Sequence, residues 1–500
     1  MVLGKIAAAA LVASLPGGWV AGVTGVTAVV SLVGERMKLK AKRNKEKDFK
    51  TTGAVNDVKA NGKTSSAIEW DALNCKLEKK GETRSILRDA GGAAKPGRML
   101  AIMGPSGSGK TTLLTALGGI MPKSKNITLS GVVAGSDQKC AFVPQEDVFY
   151  SQLTVRETLR MAASFQLPEA MTKEQKEKRV DEVIKALSLA KCADTVIGDK
   201  KTRGISGGEK KRLSIGIELL SDPAVIFADE PTTGLDSFQA EKVVKVLQEL
   251  AKAGRTVICT IHQPKASTFA LFDDIVLLSD GLTIYGGSID EAKGHFSEAG
   301  FACPDSTPLA EFMIDLVSVN YDSAEEEQEC RNRLSSLHQA YSSSSSLSKA
   351  EKRKGSRRAI PKARSNWWTQ VKLLYLRSFR QVFRDKATNM IRITTNINSA
   401  LVFGCIYWRL RRSQSTIQDR CGLLQVSAIN TAMSSVTKTL TAFSREKIIV
   451  DRERTKGNYT IGPYLIAKLA AELPISAVFP VLFGSIVYPM CKYTTLSFFH

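Results

Sequence analysis

The run Gly104-Pro105-Ser106-Gly107-Ser108-Gly109-Lys110-Thr111 constrains this chain more than any other feature. It fits GxxxxGK[ST] and falls between RMLAIMG, which reads as a short buried strand, and TTLLTALGG, which begins a helix. The glycines let backbone N–H groups wrap an anion, and the helix start through Lys110, Thr111 and Thr112 adds its positive end. Lys110 is placed to reach the β- and γ-phosphates of ATP, and the Thr111 hydroxyl to hold Mg²⁺. Alone, the run marks a phosphate-binding α/β domain without saying which, because kinases, GTPases and motors share it.

From about Ile68 to Val319, strand-like and helix-like runs alternate, as they do in an α/β domain. AVIFADE and TVICTIH read as buried strands, DIVLLSD and TIYGG as further strand, and Ser151 to Leu220 as a mostly helical inserted subdomain. AVIFADE ends on Asp229 and Glu230, two carboxylates that are a common turn or a functional pair. With the phosphate loop upstream, Asp229 is expected to bind Mg²⁺ through water, and Glu230 to polarise an attacking water. Ser206-Gly207-Gly208-Glu209 opens the helix KKRLSIGIELL. It reads either as a plain helix N-cap on Ser206 or as a second backbone site for phosphate. One chain has no second nucleotide loop to pair with that site, so the second reading implies a dimer.

The set Gly104–Thr111, Gln145, Ser206–Glu209, Asp229-Glu230, Gly234-Leu235-Asp236 and His262 resembles the complete ABC ATPase motif series, in order. The cassette precedes the hydrophobic segments, and LTVRETL (Leu153–Leu159) and His262-Gln263-Pro264 resemble the G, or white/brown, subfamily of half transporters, in its plant type. The resemblance covers residues 67 to 500 and implies an α/β P-loop ABC ATPase cassette with a helical subdomain, followed by an all-α transmembrane domain. It further implies that Gln145 contacts Mg²⁺ and the attacking water, that Asp236 lies at a dimer interface, and that His262 contacts the γ-phosphate. Arg445 to Tyr459 would be a cytosolic loop that docks on the cassette. The implied activity is ATP-driven export of a hydrophobic cargo, a lipid, sterol or metabolite, by a homodimer or a heterodimer with another half transporter. A soluble ABC ATPase and a transport-incompetent partner half are the alternatives.

Two departures from the family pattern stand out. Many such cassettes stack adenine on an aromatic residue, but here the region reads Gly81-Glu-Thr-Arg-Ser85, and Trp70 is far upstream. The family's six spans are also not all present, since about three candidates precede the last residue, which reads as an apparent truncation.

The net charge of +21 is concentrated: Glu35 to Lys50 carries +5 and Lys349 to Arg364 carries +7. Clustered cations suit nucleic acid, but each cluster lies near a hydrophobic segment, where cytosolic flanks of membrane spans collect Lys and Arg. The expectation is therefore membrane lipid as a partner and no nucleic acid. The nine cysteines show no metal-ligand spacing and read as reduced thiols, without structural zinc.

The expected organisation begins with a hydrophobic segment and its basic flank at 1–47, in which Ile6 to Val33 reads equally as a span or as a cleaved targeting sequence. A linker at 48–66 precedes the cassette at 67–320. A low-complexity linker that does not pack occupies 321–365. An amphipathic, basic, Trp-bearing helix at 366–388 suits a membrane interface, because no core follows for it to face. A partial transmembrane domain fills 389–500, with weak spans Ile393–Trp408 and Cys421–Phe443 and a stronger one, Leu473–Met490, interrupted by Pro474 and Pro480. The expected product is a multi-pass membrane protein with a cytosolic ATPase domain, in a membrane the sequence leaves open.

Overall fold

The computed structural model describes residues 67–79, 82–121, 126–135, 138–199, 202–320, 322–344, 365–410 and 413–491. The hydrophobic segment Ile6–Val33, the linker at 48–66 and both basic clusters lie outside them. The described chain divides into two compact units, one of residues 64–396 with 438–481, the other of 397–437 with 482–500.

The first unit opens with β1 (Ile68–Lys79), β2 (Glu82–Ala94), β3 (Met99–Met103), α1 (Lys110–Leu117), β4 (Ile127–Ala134) and β5 (Cys140–Val143). The inserted helices α2 (Val155–Gln166), α3 (Lys173–Ala186) and α4 (Gly207–Leu219) follow. Next come β6 (Val225–Ala228), α5 (Ser237–Lys252), β7 (Thr256–Thr260), α6 (Ala266–Phe269), β8 (Asp274–Ser279) and β9 (Leu282–Ser288). The helices α7 (Ile289–Glu298), α8 (Leu309–Val317) and α9 (Ala324–Ser344) close the cassette.

A six-stranded sheet runs β5-β6-β7-β3-β8-β9, parallel except for the β8–β9 hairpin. Every residue of β3, β6, β7 and β8 is buried, as expected of parallel strands covered on both faces. The alternation of a strand then sorts its side chains. Met99, Ala101 and Met103 join the core shared with α2 to α5, while Leu100 and Ile102 join Leu113, Leu114 and Leu117 of α1. That second core is covered by an antiparallel sheet of order β2-β1-β4. The loops that follow β3, β6 and β7 emerge together at one sheet edge, where such folds bind ligands.

Residues 324–344 correct the expectation of an unpacked linker across 321–365. They form α9, with Leu334, Leu337 and Tyr341 buried in the main core. Glu325, Glu326 and Glu327 of the acidic EEEQE fall in its first turn, where negative charge is favourable beside a helix N-terminus, and the apolar positions 334, 337 and 341 fall on one face. The polar composition hid a stripe only three residues deep.

The amphipathic helix is α10 (Trp367–Arg384). The sequence offered it no core, yet its Leu374 packs with Phe165 of α2 and with Val450, Tyr459, Tyr464 and Ala467 further on. Its opposite face leaves Trp368 and Phe383 71% and 69% exposed. Three helices follow: α11 (Lys386–Ile406), α12 (Ile417–Thr455) and α13 (Ile461–Met490). Among the described residues α13 is the one helix long and apolar enough to cross a membrane, with a mean hydropathy of 1.8. Pro474 and Pro480 do not interrupt it. In the second unit Ala400, Leu423, Phe483, Val487 and Cys491 form a small core of their own.

Candidate nucleotide site

The phosphate loop leaves β3 at Gly104 (φ +148), where a Cβ would lie 2.1 Å from the Leu278 carbonyl oxygen. Only glycine turns there. At Gly109 (φ +98), the last residue before α1, a Cβ would press on Leu87 and on the Ile86 carbonyl, so β2 lies directly against the loop. The Lys110 ammonium donates to the Gly104 and Pro105 carbonyls at 2.9 and 2.8 Å. Burial pushes its pKa down, opposed by the charges of Glu230 and Asp229. Ser108 Oγ is buried with no hydrogen-bond partner. A buried, orphaned hydroxyl beside an amide cradle fits an anion such as a nucleotide phosphate.

The two carboxylates end β6. Asp229 is buried, and its Oδ1 accepts from Thr111 Oγ1 at 3.0 Å and from Thr260 Oγ1 at 2.7 Å. This pairing of a hydroxyl with a carboxylate fits a hard divalent cation such as Mg²⁺ bound beside the phosphates. Glu230 sits in left-handed backbone (φ +42), its N–H donating to Thr260 Oγ1 at 2.8 Å. Its Oε2 accepts from Gln145 Nε2 at 2.7 Å and Thr233 Oγ1 at 2.8 Å. The turn thus aims the carboxylate outward instead of letting it continue the strand. Gln145 is itself positioned from α4: buried Lys211 donates to the Gln145 carbonyl at 2.8 Å and pairs with Asp147 at 3.1 Å.

These groups meet in a cleft of about 1040 Å³ lined by Ser106, Gly107, Gly109 to Thr112, Glu230 and His262. Of the residues expected from sequence, the phosphate loop, Asp229, Glu230, Gln145 and His262 are therefore gathered at one edge. Ser206–Glu209 and Asp236 do not line the cleft. Ser206 caps α4 reciprocally with Glu209, its hydroxyl donating to Oε2 at 2.9 Å and accepting from the Glu209 N–H at 3.3 Å. Asp236 caps α5 by accepting from the Phe238 and Gln239 N–H groups, and exposes Phe238 (64%) beside it.

Trp70 is excluded as a base-stacking residue, since it is buried in the core under Gly92. Sequence reasoning missed Thr260, Thr233 and Lys211. Thr260 had a weak signal as a polar end to an apolar strand, and Lys211 none that distinguished it from its neighbours.

Known families match this chain along most of its length. Residues 87–233 match the ABC transporter family, and residues 369–499 and 262–401 match two ABC-2 type transporter families. ABC transporter G family member 7 of Arabidopsis thaliana is 49% identical over 454 residues, covering 86% of this chain and 63% of that protein. ABC transporter G family member 13 of the same plant is 34% identical, covering 85% of this chain and 69% of that protein. Protein white of Drosophila melanogaster is 34% identical, covering 81% and 62%. This chain therefore spans about two thirds of the length of these relatives. A dimeric ATP-binding cassette, MJ0796, solved with ADP and Pi, is 26% identical with a TM-score of 0.38, covering 44% of this chain and 98% of that one.

Proposed function

The chain belongs to the ABC transporter G family, and on that premise we propose that it is the cassette-bearing part of a half transporter. Two such halves, identical or related, bind ATP between them and couple its hydrolysis to export of a hydrophobic cargo across a membrane. The observation behind this reading is the division of the motif set. Ser106, Gly107, Gly109 to Thr112, Glu230 and His262 line a single cleft, and Asp229 and Gln145 are hydrogen-bonded to Thr111 and Glu230 of that lining, whereas no such bond ties Ser206–Glu209 to it among the described residues. The second helix start that would close on the γ-phosphate then comes from a partner chain.

Chemically, the amide cradle and Lys110 hold the triphosphate. Bound Mg²⁺, held by Thr111 and Asp229 with Gln145 nearby, would supply charge neutralisation of the β- and γ-phosphates. Glu230 accepts a proton from a water as the water oxygen bonds to the γ-phosphorus and the bond to the ADP oxygen breaks, giving ADP and phosphate. Gln145 and Thr233 orient that carboxylate. The Gln145 loop reaches the helices beyond the cassette through α4. Lys211 grips the loop, and Glu218 on the same helix pairs with Lys456 and with Arg452 at 3.7 Å; these lie in the segment 445–459 expected as a docking loop, which is instead the end of α12 as far as Thr455 and the turn after it. A multi-pass arrangement with the cassette on the cytosolic side belongs to the same proposal.

Glu230→Gln keeps the shape and hydrogen bonding of the site but removes its base. Turnover should fall roughly 100-fold or more while ATP stays bound. Lys110→Ala should instead lose the nucleotide. Near-normal hydrolysis by the Gln variant in membranes would remove Glu230 from its role.

A further inference from the structure

Among the described residues no Phe, Tyr or Trp side chain lines the nucleotide cleft, yet three arginines do: Arg84 and Arg88 from β2, and Arg331 from α9. We propose that Arg331 stacks its guanidinium on the purine ring of the bound nucleotide, in place of the missing aromatic residue. This rests on the nucleotide reading of the cleft given above.

Placement comes from the β8–β9 hairpin. Its turn, Asp280-Gly281, has φ +48 and +80, the geometry of a tight two-residue turn that matches strand twist. A Cβ on Gly281 would lie 2.4 Å from the Ile86 carbonyl oxygen, and the Arg88 N–H donates to the Gly281 carbonyl at 2.9 Å. The turn is therefore locked against the stretch of β2 that touches the phosphate loop. Asp280 in turn holds Arg331, whose Nη1 donates to Asp280 Oδ2 at 2.8 Å. Glu327, one helical turn earlier on α9, accepts from Nε at 2.9 Å and lies 2.8 Å from Nη2.

Two consequences follow from that grip. First, each of the three nitrogens has an N–H directed at a carboxylate, which fixes the plane of the group and so orders the face it can present to a ring. Guanidinium faces stack on aromatic rings. Two carboxylates also offset the single positive charge, which makes the group a poor phosphate ligand and a suitable neighbour for a neutral base. Second, the side chain is already ordered before a nucleotide arrives, so binding costs little further rotamer entropy. Arg84 and Arg88 are exposed and form no salt bridge among the described residues, so either would have to be ordered on binding.

The test compares a ligand that has a base with one that has none. ATP and inorganic tripolyphosphate are measured by equilibrium dialysis against the detergent-solubilised full chain, in a Glu230→Gln background that prevents turnover. Arg331→Ala and Arg331→Lys should each weaken ATP roughly 3- to 30-fold. The Lys variant keeps the charge but loses the plane. Tripolyphosphate affinity should not change, and Arg331→Trp should restore ATP affinity. The proposal is overturned if both variants bind ATP normally, or if tripolyphosphate weakens in proportion, as a purely structural or phosphate-directed role would require. If the unsubstituted chain binds neither ligand, the nucleotide reading of the cleft falls as well, which separates the two failures.

Discussion

Thr260 stands between the two carboxylates that end β6, and its hydroxyl serves both. It donates to Asp229 and accepts the backbone N–H of Glu230. Because the residue is fully buried, water cannot take its place. Thr260→Val, nearly identical in volume, should leave that N–H orphaned and Asp229 one donor short. The expected cost is about 1–3 kcal/mol of stability, with a lower turnover as Glu230 loses its fixed turn. Thermal unfolding and ATPase assays on the same preparation check this, and Thr260→Ser should behave like the natural protein. An unchanged melting point in the Val variant would mean that the pair is held some other way. Lys211 acts similarly at a distance, holding the carbonyl of Gln145 while the Gln145 side chain holds Glu230.

Between elements, α2 meets α10 through the apolar packing of Phe165 with Leu374 and through ion pairs centred on one carboxylate. Glu157 closes the reciprocal cap of α2 with Thr154 and also accepts from Arg384 at 2.7 and 2.9 Å and from Arg380 at 3.3 Å. Burial pushes its pKa up, but the Arg384 bond, the Thr154 N–H and the two cations outweigh this and hold it below the usual carboxylate range. A depressed acid contributes stability that is fully present above its unfolded pKa and is lost as pH falls through the depressed value. The amides of α10 should therefore lose hydrogen-exchange protection on acidification through that range, after correction for intrinsic rates. Arg384→Ala should flatten this response, and a profile identical to that of the natural chain would show that the pair does not set it. A charge swap gives a second check at neutral pH. Glu157→Arg should loosen the junction, and adding Arg384→Glu should recover about 1 kcal/mol, the scale of a half-exposed pair.

At the scale of the whole molecule, the separation of Ser206–Glu209 from the cleft of its own chain makes a composite site testable. A Lys110→Ala chain has an intact Ser206 but no working phosphate loop, and a Ser206→Arg chain has the reverse. Each alone should fail to retain ATP in the Glu230→Gln background. Co-expressed, they should form a mixed dimer with one complete site and recover retention at up to half the normal stoichiometry. Absence of recovery despite proven pairing would place the whole site within one chain.

The parallel sheet and its nucleotide edge were legible in the residues alone. Strands buried on both faces must be continuous apolar runs, and the phosphate loop needs glycines where no side chain fits, so RMLAIMG, AVIFADE and TVICTIH announced themselves. Asp229 and Glu230 were expected from their place at the end of an apolar strand after a phosphate loop, and Gln145 and His262 from the family resemblance. Tertiary structure alone decided the rest. A polar, serine-rich stretch became α9 because Leu334, Leu337 and Tyr341 find a core made by distant elements. The helix α10 found its buried face only when α2, α12 and α13 came together around Leu374. Arg331 reached the nucleotide cleft because an Asp-Gly turn 51 residues away holds it there. Periodicity reports what a segment can bury, and spacing reports what a loop can bind. Neither reports which distant surface will be waiting for it, because that depends on the packing of the whole chain.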